Sequence, residues 1–130
     1  MALLYEELTE RILAAFYTVY NELGYGFLEK VYENALCAEL EAMGIKVESQ
    51  KPVAVYYKDK VVGEYFADLI VSNKVIIELK AAEAISEGHG KQLINYLKAT
   101  GIEVGLLLNF GKKPEFMRKI YQSSNPSKSV

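Results

Sequence analysis

Asp68 interrupts the apolar run Tyr65-Phe66-Ala67-Asp68-Leu69-Ile70-Val71, and it is one of only two aspartates in 130 residues. Ten residues later Glu78 and Lys80 interrupt a second apolar run, Val75-Ile76-Ile77-Glu78-Leu79-Lys80. A carboxylate in such a setting is costly to desolvate unless something cationic meets it. Strand side chains alternate with a period of two, which puts Glu78 and Lys80 on one face. An Asp on one strand, a turn, and Glu-x-Lys on the next strand is an arrangement suited to holding a divalent metal beside a scissile phosphodiester.

The pairing of these two strands can be tested against their hydrophobic pattern. A two-residue loop at Ser72-Asn73 mixes charged and apolar side chains on both faces. A three-residue loop, Ser72-Asn73-Lys74, sets Val71 against Val75 and gathers Tyr65, Ala67, Leu69, Val71, Val75, Ile77 and Leu79 on one face that can be buried throughout. The other face then collects Glu64, Phe66, Asp68, Ile70, Ile76, Glu78 and Lys80, with Asp68 across from Glu78. Because a one-residue slip would flip a whole strand, the apolar pattern itself selects the register that assembles the charged cluster. Two facing carboxylates repel unless a cation or a proton lies between them.

The elements that must position this hairpin follow from periodicity and breakers. Leu8, Ile12, Ala15, Phe16, Val19 and Leu23 recur at helical spacing over Tyr5 to Leu23, with Gly24 as a stop. A second helical pattern follows Gly26 through Leu28, Val31, Tyr32, Ala35, Leu36, Leu40 and Met43 to Gly44. Strands are expected at Val53 to Tyr57, at Val61 to Val71 with an irregularity near Gly63, and at Val75 to Lys80; Lys58-Asp59-Lys60 forms the first turn. A third helix is expected over Gly88 to Ala99, closed by Gly101, then a fourth strand over Val104 to Phe110. Pro114 is read as opening a last helix through Tyr121. Residues 1–122 are expected to form a single domain, with 123–130 a frayed tail. In the second helix Glu29 and Tyr32 share a face, and in the third His89, Gln92 and Tyr96 do so.

Composition narrows the function classes. At 130 residues and 51% hydrophobic content the chain suits one core. No stretch is apolar and long enough to span a membrane, and the first residues lack the pattern of a signal peptide, so the expected place is the cytoplasm. The one cysteine, Cys37, excludes an intrachain disulfide, and with the one histidine it cannot form a thiolate-imidazole zinc site. Net charge is −2, but residues 1–50 carry 9 acidic and 3 basic side chains while residues 51–130 carry 8 acidic and 12 basic ones. The part holding Asp68, Glu78 and Lys80 is therefore the basic one, and it can attract a polyanion locally.

Together these residues resemble a family. Gly26-Phe27-Leu28-Glu29-Lys30-Val31-Tyr32 matches the signature of the GxxExxY proteins, a small branch of the PD-(D/E)XK nuclease superfamily. The resemblance continues through Tyr65-Phe66-Ala67-Asp68, Ile77-Glu78-Leu79-Lys80, His89 to Leu97 and Val104 to Phe110, with Ala67 standing where the superfamily name has Pro. It implies an α/β fold: a restriction-endonuclease-like αβββαβ core with a four-stranded mixed sheet flanked by helices. It also implies Mg²⁺-dependent hydrolysis of phosphodiester bonds, with Mn²⁺ as a substitute and DNA favoured over RNA. In that reading Asp68, Glu78 and the Leu79 carbonyl hold the metal, and Lys80 assists the attacking water. Glu29 and Gln92 support the site, and Tyr32, His89 and Tyr96 orient the substrate. Two copies are expected to pair where two strands are cut. The alternative is a nucleic-acid- or protein-binding module that keeps the fold without cutting.

Overall fold

Apolar residues at helical spacing bury one stripe of α1 (Glu6–Leu23), through Ile12, Ala15, Phe16 and Val19, and one stripe of α2 (Glu29–Ala42), through Tyr32, Leu36 and Leu40. This computed structural model describes residues 5–122, so the expected tail at 123–130 lies outside the described residues. After the two helices come β1 (Val47–Tyr57), β2 (Lys60–Val71) and β3 (Val75–Lys80), then α3 (Glu87–Thr100), β4 (Val104–Phe110) and β5 (Pro114–Ile120). The five strands form one sheet in sequence order. β3 and β4 run parallel, with α3 as the crossover that parallel pairing demands, and the other neighbours are antiparallel. Helices cover both faces of this mixed α/β sheet: α1 and α2 pack on one side with Leu69, Val71, Val75, Ile77 and Leu79, and α3 packs on the other with Ile70, Ile76 and Leu107.

The sheet has five strands rather than four. The segment from Pro114 is β5, not a helix. β4 is buried along its whole length, and without a partner on its outer side it would leave a row of backbone groups unpaired; β5 supplies the missing bonds, with Val104 opposite Ile120 and Phe110 opposite Pro114. Proline is tolerated because it stands first in the strand. β1 likewise begins at Val47, six residues before its expected start, and accommodates Pro52 because it is an edge strand. The irregularity expected near Gly63 is present as a register shift after the Val55/Gly63 pair.

The hairpin between the two charged strands has the expected register: Val71 faces Val75, Ile70 faces Ile76 and Leu69 faces Ile77. Its single continuous apolar face does not survive. Leu69, Val71, Val75, Ile77 and Leu79 pack beneath α1 and α2, whereas Tyr65 and Ala67 join the α3 cluster, and Ile70 and Ile76 are buried there as well. The alternation breaks at Asp68. The regular β2–β3 ladder ends at Leu69 and Ile77, and the β1–β2 pairing skips Gln50 and Asp68, where Gln50 takes the left-handed backbone at φ 52°. A non-glycine residue there is strained. Regular strand pairing thus lapses at Asp68 on both sides of β2.

Candidate active site

Where the β2–β3 ladder stops, side chains take over its hydrogen bonds. The Leu79 amide donates to Asp68 Oδ2 at 2.8 Å, and the Asp68 amide donates to Glu78 Oε2 at 3.3 Å. Each carboxylate thus reaches across the fork to the opposite strand, and the two face the same gap. Burial pushes the Glu78 carboxyl up from 4.5 to about 8, the Asp68 charge adds to the rise, and Lys80 only partly opposes it. Burial also raises Asp68, against the favourable bond from Leu79. Lys80, half-buried at the end of β3, follows Glu78 by two residues.

Helix α2 supplies a second acidic layer. Glu33, only 5% exposed, accepts from Gln50 Nε2 at 2.9 Å and pairs with Lys30 at 3.0 Å. The same Gln50 amide extends to Asp68 Oδ1 at 3.5 Å, so a glutamine bridges helix carboxylate and strand carboxylate. Glu29 is exposed one turn earlier, yet its charge raises both Asp68 and Glu78. Four carboxylates therefore act on one region, with Lys80 the cation that acts on Glu78.

The sequence profile of the PD-(D/E)XK nuclease superfamily matches residues 6–120, nearly the whole described chain. The chain belongs to that superfamily. Among solved structures it is similar to one described as the crystal structure of SSO0001, with a TM-score of 0.56 and 19% sequence identity; the match covers 75% of this chain and 52% of that one. The chain thus spans about half the length of that structure, and the likeness concerns the fold. No curated protein gives a significant match.

Asp68 and the Glu78-Leu79-Lys80 triplet, the residues whose pattern resembles the PD-(D/E)XK motif, form a donor set that bears on the metal such nucleases use. Among the described residues no three His, Cys, Asp or Glu side chains are grouped so that they could hold a metal ion. Two carboxylates at a fork fit an ion that keeps several waters and takes one or two carboxylates, as Mg²⁺ does. Desolvation and mutual repulsion, the forces that raise Glu78, are the ones that a bound cation relieves.

The other residues singled out in the sequence have different employments. Tyr32 is fully buried: its hydroxyl donates to the Gly24 carbonyl at 2.7 Å and accepts from the Phe27 amide at 3.1 Å, and its ring stacks on Phe110 at 4.2 Å. From that buried position Tyr32, expected to orient substrate, clamps the α1–α2 loop. Gly26 sits in that loop at φ 109°, a conformation that side-chain-bearing residues rarely adopt. Of the Gly26, Glu29 and Tyr32 set, only Glu29 acts on the carboxylates, through its charge. His89 closes a capping box at the start of α3, its Nδ1 accepting from the Ser86 amide at 3.1 Å while its own amide donates to Ser86 Oγ, which engages that nitrogen in helix initiation. Gln92 is exposed and hydrogen-bonds Tyr96. Tyr96 stacks on Tyr65 with ring centroids 3.7 Å apart, and both hydroxyls are pushed up by burial and by Glu78.

Sequence reasoning missed Glu33 and Gln50. Glu33 was legible in principle, since it stands three and seven residues before Leu36 and Leu40 and so lies on the buried stripe of α2. Gln50 was not, because the start of β1 was unseen. One prediction follows from the clamp. Tyr32→Phe leaves the Gly24 carbonyl and the Phe27 amide without their buried partner and should cost about 1 to 3 kcal/mol of stability. Urea unfolding should show a lower midpoint with an unchanged slope.

Proposed function

We propose that this chain is a cytoplasmic metal-dependent nuclease of the GxxExxY branch, hydrolysing phosphodiester bonds of DNA in preference to RNA with Mg²⁺, or Mn²⁺ in its place. Residues 1–122 form its single catalytic domain, and two copies pair where both strands of a duplex are cut. The observation that carries the reading is the fork itself: two desolvated carboxylates on adjacent strands, repelling each other, with a lysine next along β3. Asp68 and Glu78 would hold the ion, with the Leu79 carbonyl beside them. When bound, such an ion supplies Lewis acidity to the phosphoryl oxygen and acidifies water. Lys80 then orients the attacking water and offsets negative charge gathering on the phosphorus; its straight stem lets the ammonium reach from a half-buried strand. Glu33, through Gln50, fixes the rotamer of Asp68, and Glu29 adds negative potential that favours a divalent cation. Gln92 and Tyr96, on the α3 side, orient the strand being cut.

One observation favours a second reading. Both carboxylates already satisfy backbone amides, which a non-catalytic binding module would need just as much. Incubating the protein with linear, nicked, branched and single-stranded DNA and with RNA, in Mg²⁺, Mn²⁺ or EDTA, separates the two. Cleavage of DNA that EDTA abolishes is expected; binding with no cleavage under any condition would leave the module.

A further inference from the structure

Three side chains outside the carboxylate fork each fasten one loop, and the three loops meet around a single cavity of about 230 Å³. Tyr32 fastens the α1–α2 loop through Gly24 and Phe27. Asn109, fully buried in β4, holds the β3–α3 loop by accepting from the Ala82 amide and donating to the Ala82 carbonyl, both at 2.9 Å. The Tyr20 hydroxyl fastens the β4–β5 turn at the carbonyls of Gly111 and Lys112, at 2.8 and 2.7 Å. Gly111 packs so closely under the Ala82 carbonyl that no side chain fits between them. The cavity walls are thus set in advance, the condition under which binding costs least ordering.

The position and lining of the cavity are informative. Ala81, Ala82 and Glu83 line it immediately after Lys80, and Phe110, Gly111 and Lys112 line it beyond Asn109, which pairs with Lys80. It therefore opens at the carboxyl ends of the two parallel strands, where open α/β sheets bind ligands. Its volume falls below the roughly 300 to 1,000 Å³ of sites for drug-sized molecules, so it suits one small ring system. Tyr25 and Phe27 stand at its mouth 57% and 47% exposed, large aromatic surfaces with little to cover them. Lys112 supplies a cation for a phosphate, and the Glu83 carboxylate an acceptor for an amino group.

We propose that this cavity receives the base of an unpaired nucleotide next to the scissile phosphate, which makes a single strand, or the frayed end of a duplex, the preferred substrate. The inference rests on the nuclease reading and adds the substrate class to it. A base inside a duplex cannot reach a recess of this kind without being extruded, at a cost in stacking and pairing, whereas an unpaired base enters freely and stacks on the aromatic walls.

The test is fluorescence anisotropy of a labelled single-stranded oligonucleotide and of a blunt duplex of the same sequence, both in EDTA so that nothing is cut. The single strand should bind at least roughly 10-fold more tightly, given what one stacked base contributes. Tyr25→Ala removes a wall and Ala81→Leu fills the recess; both positions are exposed, so folding is spared. Each should weaken single-strand binding by roughly 5-fold or more while leaving duplex binding unchanged. Equal affinity for the two nucleic acids, or variants that bind the single strand as the parent does, overturns the cavity assignment. Cleavage assays separate this from the nuclease reading. A protein that cuts duplex and single strand equally well overturns the inference and keeps the nuclease; strand-selective binding lost in both variants, without any cleavage, supports the base pocket and removes the chemistry.

Discussion

Asp68→Asn and Lys80→Met should each lower metal-dependent cleavage by roughly 100-fold or more, the range seen when a positioned proton-transfer or charge-stabilising group is removed, without a large drop in melting temperature. The fork explains why the two effects separate. Asp68 has a structural job, accepting the Leu79 amide at 2.8 Å, and the asparagine carbonyl oxygen can still do that job. What it loses is the charge that would hold the cation. Lys80→Met keeps the apolar stem and removes only the ammonium. Affinity for nucleic acid should fall modestly, because the other lysines and the arginine of residues 51–130 still meet phosphates. A purely structural cluster behaves differently: each single change leaves a buried group unpaired, at about 3 to 5 kcal/mol. A large drop in melting temperature for both variants, beside a parent that cuts nothing, would sink the nuclease reading.

How much of this was legible in the sequence depended on whether the signal was local. The hairpin register was legible because apolar alternation in β2 and β3 admits one pairing that buries Val71, Val75, Ile77 and Leu79 together. Helix ends were legible from Gly24 and Gly101. β5 was not, since Pro-Glu-Phe-Met-Arg-Lys-Ile carries no strong period, and only the need of the buried β4 for a partner makes it a strand. The break in pairing at Asp68 was also hidden. It arises where a carboxylate displaces a ladder bond and Gln50 on the neighbouring strand adopts positive φ, a tertiary outcome that alternation along one strand cannot announce. The family resemblance grouped Gly26, Glu29 and Tyr32 as one signature, and the structure divides that signature into a loop clamp and a carboxylate near the fork.

Raising the pH should destabilise the metal-free protein between about 4.5 and about 8, and Mg²⁺ should cancel that loss. Glu78 binds its proton more tightly in the folded chain, where burial and Asp68 raise its carboxyl to about 8, than in the unfolded chain near 4.5. Between those values the folded state carries the extra proton, so the slope of unfolding free energy against pH is negative. The stabilising contribution is complete below about 4.5 and is lost as pH passes 8. Asp68, also raised, adds to the loss with the same sign. At about 1.4 kcal/mol for each pH step between the two Glu78 values, the loss is on the order of 2 to 5 kcal/mol, or roughly 10 °C in melting temperature for a domain of this size. A divalent cation takes the place of the proton, so it binds weakly at pH 5.5 and strongly at pH 8. The measurement is a set of thermal melts from pH 4 to 9, with and without Mg²⁺, on the parent and on Glu78→Gln. The variant isolates the effect from the other carboxylates: its amide oxygen can still accept from the Asp68 amide, but it has no proton to lose. Its melting temperature should therefore depend less on pH, and Mg²⁺ should shift it little. Equal pH dependence in parent and variant, or a Mg²⁺ shift as large at pH 5.5 as at pH 8, would show that Glu78 is neither the titrating group nor the ligand.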